Sequence, residues 1–108
     1  MAKVADQKPQ PLDQRQAYEA IQRILGLPTQ ALTFTAHCRQ RARERNFSTE
    51  DVWRVLRFGS VAPTPDWDEM RREWVYRVSG RDYDNDPLTV KVVIDQENDR
   101  LRIVSAHE

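Results

Sequence analysis

The sequence predicts an α+β fold: helices packed on one face of a four- to five-stranded antiparallel sheet. Three observations lead there. Segments with helical periodicity come first, at Gln14 to Leu25, between Thr35 and Asn46, and between Ser48 and Gly59. Segments with strand alternation follow, at Arg72 to Ser79, Leu88 to Asp95 and Leu101 to Ala106. The links between those strands are short, which implies antiparallel neighbours. Helices followed by a strand meander make a two-layer α+β arrangement.

Taken in order, residues 1–11 are polar and end in Pro-Gln-Pro, so they are expected to form a flexible tail. Residues 12–27 form an N-terminal helical segment. Asp13 supplies the cap, Ala17, Ile21, Ile24 and Leu25 an apolar stripe, and Gly26 with Pro28 the stop. Residues 28–108 are read as one α+β domain. It opens with a short strand at Leu32 to Thr35. Thr35 then caps an arginine-rich helix that Asn46 ends in a left-handed turn. Ser48 with Asp51 approximates a capping box, Val52, Val55 and Leu56 share a face, and Gly59 suits the position just past the helix end. Ser60 to Ala62 is a short strand that Pro63 and Pro65 interrupt. Thr64 to Met70 reads as a loop. Gly80 to Pro87 is turn chemistry, and Gln96 to Asp99 closes a hairpin.

A length of 108 residues is one domain's worth. Net charge is zero with 31% charged residues, so a uniformly basic duplex-DNA binder is disfavoured while a local basic patch is not. The single cysteine rules out an intrachain disulfide, and Cys38 is expected to pack as a small apolar residue. No secretory signal or membrane-length apolar run is visible, so a cytoplasmic protein without membrane contact is expected. The histidines and cysteine are too few and scattered for zinc, and Asp66, Asp68 and Glu69 read as a solvated loop. No metal or cofactor is expected.

Two groups of residues stand out. At about 100° per residue, His37, Cys38, Arg41, Ala42 and Arg45 share one half of the arginine-rich helix. Polar residues on a half that should face the body break binary patterning, as sites often do. They equally fit arginines paired internally with acids and a histidine bonded to a carbonyl. On the sheet, Trp74, Tyr76 and Val78 share one face, as do Leu88, Val90, Val92 and Ile94. That leaves Arg77, Lys91 and Arg102 on the open face, either as a phosphate platform or as an ordinary solvated surface. Strict alternation along the last strand places Ser105 and His107 with Leu101 and Ile103, toward the helices.

From Phe34 onward the chain resembles the domain-of-unknown-function 4258 family. His37, Arg41, Arg45, Ser48, Val52 and Gly59 fall on its pattern of a His-Ala-x-x-Arg helix, a turn and a helix ending in glycine. Cys38, Asn46 and Phe47 depart from it, and Ser105 and His107 stand where a threonine and an aromatic residue are usual. The resemblance implies a RelE-like toxin fold, within the wider barnase, EndoU and colicin nuclease group. It implies a metal-independent ribonuclease, the toxin of a toxin–antitoxin pair, with RNA and a cognate antitoxin protein as partners.

Such cleavage needs a base for the 2′-hydroxyl, cations at the phosphorane and an acid for the 5′-oxygen. The two histidines, His37 and His107, suit the proton transfers. The catalytic candidates are therefore His37, Arg41, Lys91, Ser105 and His107, with Arg45, Arg77 and Arg102 as nucleic-acid contacts. The alternative is a non-catalytic protein- or nucleic-acid-binding module in which Arg41 and Arg45 are internal ion-pair partners. A metal-dependent nuclease is disfavoured, because Thr89 stands where an acid-x-Lys motif needs a carboxylate.

Overall fold

The computed structural model describes residues 8–28, 31–45 and 47–108. The expected turn at Asn46 and most of the expected tail lie outside the described residues. Helix α1 spans Gln14–Leu25, β1 Leu32–Phe34, α2 Ala36–Arg45 and α3 Thr49–Phe58. Strands β2 (Ser60–Val61), β3 (Asp66–Asp68), β4 (Glu73–Arg81), β5 (Pro87–Asp95) and β6 (Arg100–His107) complete the chain.

The architecture is α+β, three helices with an open, mixed, six-stranded sheet of order β1-β6-β5-β4-β2, with β3 paired to β4. The expectation of an all-antiparallel sheet of four to five strands is corrected in two ways. Strand β1 runs parallel to β6, because the intervening helices and hairpins return the chain to the end from which β1 starts. Strand β3 forms inside the expected loop. Its three residues pair antiparallel with Glu73, Trp74 and Val75, too short a run to show periodicity.

One core joins both layers. Ala17, Ile21 and Ile24 of α1 and Val52, Val55 and Leu56 of α3 meet Tyr76, Val78, Val90, Val92, Leu101 and Ile103 of the sheet. Both helices begin with capping boxes, Asp13 with Gln16 and Ser48 with Asp51. These satisfy otherwise orphan N–H groups. The segment before α1 is fastened to β4. Trp74 Nε1 donates to the Pro9 carbonyl at 2.7 Å, and Leu12 N–H donates to Tyr76 Oη at 2.9 Å.

Gly59 ends α3 with extended backbone (φ −81°, ψ −178°), so the expected left-handed cap is replaced by a different need for glycine. A Cβ there would lie 2.5 Å from the Val55 carbonyl oxygen and 2.6 Å from that of Ser79. Helix and strand cross where only a hydrogen fits.

Asp51 locks the β4–β5 turn to α3. It is 9% exposed. Its Oδ2 accepts from Ser48 N–H at 2.9 Å and its Oδ1 from Tyr83 N–H at 2.9 Å. Burial pushes its carboxyl up, but the Tyr83 and Ser48 donors together outweigh that and hold it below the usual range. The lowered folded-state value means the stabilisation is complete above the unfolded value, about 3.9, and is lost as pH falls through the folded one. Asp51→Asn should therefore cost about 2 kcal/mol at pH 7, since hydrogen bonds to charged groups contribute about 1.5–3 kcal/mol. In urea melts the gap from the parent should close as pH drops below about 4.

Candidate functional site

The site is set by one irregularity in β6. The β5–β6 ladder pairs Lys91 with Ser105 but Val92 with Ile103, leaving Val104 as an extra residue. Such a bulge reverses side-chain parity beyond it. Leu101 and Ile103 point to the core before it, and Ala106 does so after it. Ser105 and His107 consequently lie on the open sheet face. This corrects the expectation that they turn toward the helices beside His37. The bulge sits where β1 gives way to α2. There Thr35 Oγ1 donates to the Val104 carbonyl at 3.3 Å and accepts from Cys38 N–H at 3.1 Å. One threonine thus caps α2 and ties it to the bulge.

Two cross-strand rows result. Arg77, Lys91 and Ser105 form one, and Ser79, Thr89 and His107 the next. Ser79 and Thr89 share a hydroxyl–hydroxyl hydrogen bond of 3.2 Å. Lys91 therefore has Arg77 directly opposite and His107 diagonally beside it, and like charges in such positions cost stability. Arg77 is compensated: its Nε lies 3.1 Å from Asp66 Oδ2, within ion-pair reach though not in hydrogen-bond alignment. Arg102, at the far end of the face, is ion-paired with Glu73. Lys91, Arg41 and Arg45 make no ion pair among the described residues.

Helix α2 packs along β6 beyond the end of β1, and this brings Arg41 and Arg45 to the same place. Their effect shows on His107. Its imidazole is held below the ordinary histidine range, first by burial, then by the charges of Lys91, Arg45 and Arg41. The structure thus gathers Lys91, Ser105, His107, Arg41 and Arg45, which the sequence had divided between two separate surfaces. His37 stands apart from that expectation. It is exposed near the start of α2, whose one fully buried side chain is Cys38. Arg45 is exposed and Arg41 half-buried, and neither is paired with a sheet acid among the described residues. Burial raises the Cys38 thiol, which packs as an apolar residue.

The sequence marked Thr35 only as a helix cap; its bond to the Val104 carbonyl and the Ser79–Thr89 hydroxyl pair on the open face had no signal in the local pattern. The acids of the Asp66 to Glu69 segment have other roles. Asp66 pairs with Arg77, Asp68 accepts from Met70 and Arg71 N–H, and Glu69 accepts from Trp67 Nε1. Among the described residues no group of three or more His, Cys, Asp or Glu is placed to hold a metal ion. No helix among them is long and apolar enough to cross a membrane.

A family model described as Domain of unknown function (DUF4258) matches residues 34–108, leaving α1 and most of β1 outside the match. No curated protein and no solved structure matches the chain.

Proposed function

The chain belongs to the family described as Domain of unknown function (DUF4258), and from that premise we propose that its open sheet face binds and cleaves RNA without a metal, as the toxin of a toxin–antitoxin pair. The observation that carries this reading is the convergence of three cations on a half-buried imidazole, with no acid paired to them among the described residues. Unpaired cations clustered on a flat face suit a phosphate backbone. A histidine kept neutral near pH 7 suits removal of a proton from a ribose 2′-hydroxyl.

In this mechanism Lys91 donates to a non-bridging oxygen of the scissile phosphate and stabilises the charge that grows there. Arg41 and Arg45 hold adjoining phosphates along the α2 edge. His107 takes the 2′-hydroxyl proton, the 2′-oxygen attacks phosphorus, and the 5′-oxygen leaves with a proton from water at the open face. Ser105, beside Lys91, positions the same phosphate. Arg77 and Arg102, engaged by Asp66 and Glu73, contribute by field and not by direct contact.

The test is binding and cleavage of a single-stranded RNA of about twelve nucleotides in EDTA, across a salt series. Each phosphate contact on a single strand contributes about 0.7 to the slope of log affinity against log salt. Lys91→Ala and Arg45→Ala should each lower the slope by about that amount and weaken binding several-fold. Unchanged slopes in both would place the RNA elsewhere.

A further inference from the structure

We propose that the free edge of β1 and the groove beside it take an extended segment of a partner protein, apolar at alternate positions and flanked by acids. This surface lies on the helix side, away from the cationic sheet face, and does not depend on the ribonuclease reading.

Among the described residues, strand β1 ends the sheet and pairs only with β6. Leu101 N–H donates to the Ala31 carbonyl, and Thr35 N–H to that of Ile103. In a parallel ladder alternate residues bond to the neighbour. The peptide groups of Leu32 and Phe34 therefore point outward, toward the unpaired edge. Proteins usually blunt such an edge with charges or cover it. Here the side chains of the same two residues instead floor a groove of about 760 Å³, walled by Phe47 and by Trp53. Trp53 keeps 38% of its surface exposed. Outward peptide groups beside an apolar groove offer what strand addition uses: main-chain hydrogen bonds for affinity and a slot for alternate side chains.

The charge of the groove selects the occupant. Arg39 and Arg43 lie one turn apart on its α2 rim, both exposed and without an ion pair among the described residues. Among the described residues, Glu50 is the one acid on the facing rim. The surplus is positive, so acids flanking the apolar residues complement it. A second copy of this chain is disfavoured, because edge-to-edge pairing would bring two Arg39 and Arg43 sets together.

The probe is a phage-displayed library of random twelve-residue peptides, selected on the full chain. Arg39→Glu/Arg43→Glu serves as the counter-target, after its melting curve is matched to the parent. Selected peptides should alternate apolar residues between acids, bind the double variant at least tenfold more weakly, and shift the amide resonances of Leu32 and Phe34. Alternate N-methylation of the bound peptide should abolish binding. Failure to select any peptide, peptides indifferent to the double variant, or helical peptides that leave the β1 amides unmoved would each overturn the proposal. So would a dimer in sedimentation that the two substitutions dissociate, since that would assign the edge to a second copy.

Discussion

His107→Ala should lower the rate of RNA cleavage by about 100- to 10,000-fold, the range over which a positioned general base acts, while RNA affinity changes by less than about threefold. In the proposed mechanism the phosphate contacts come from Lys91, Arg41 and Arg45, so removing the imidazole leaves them in place. The pH profile carries the sharper signature. A base works deprotonated, so the rate should rise with pH through the His107 pKa and level off above it. Because burial and the neighbouring cations hold that pKa down, the rise should fall below the ordinary histidine value of about 6.5. Removing a cation makes the imidazolium easier to form, so Lys91→Met should move the rise to higher pH as well as slow the reaction. Single-turnover rates between pH 4.5 and 8 test both. A His107→Ala enzyme of parental rate would remove this residue from the chemistry.

Gly59→Ala should be the most damaging small substitution in the fold. The added methyl group would sit 2.5 and 2.6 Å from the carbonyl oxygens of Val55 and Ser79, and both belong to backbone. No side chain can swing aside to make room. Either the last turn of α3 opens or β2 separates from β4. Gly80 worsens this, because its own Cβ position is 3.2 Å from Gly59 Cα, so the two glycines form one crossing. Overpacking of this kind costs about 1–3 kcal/mol and sometimes more; with two backbone clashes the upper end, about 3 kcal/mol, is expected. For a domain of this size that lowers the melting temperature by roughly 10–20 °C. Ala62→Ser, just past the end of β2, is the control and should melt within a few degrees of the parent. A Gly59→Ala protein melting with the parent would show that helix and strand do not meet this closely.

These two residues also show what the sequence could convey. The glycine was visible as a helix stop, but the reason for it was not. A left-handed cap and a close backbone crossing both demand glycine, and only tertiary placement separates them. Amphipathic α1 and α3 were readable from their apolar stripes and caps, because one face of each meets a core. Helix α2 was readable as a helix but not in its rotation. It covers only the edge of β6 and buries one side chain fully, so a helical wheel has too little apolar signal to orient it. His37 was therefore assigned to the wrong side.

The site was hidden by Val104. Strict alternation carried Ser105 and His107 inward, and one extra residue turned them out. A trace of this exists in the sequence. Apolar residues fall at Leu101 and Ile103, then shift to Val104 and Ala106, two adjacent apolar residues marking the change of parity. The parallel pairing of β1 had no comparable trace, since three residues cannot signal direction.

The account rests on the outward turn of His107 onto Lys91, Arg41 and Arg45. With only two histidines in the chain, NMR titration of the imidazole protons reads this directly. His107 should titrate below about 6.5 in the parent and at higher pH in Lys91→Met. A His107 resonance that titrates at the same pH in both proteins would contradict it.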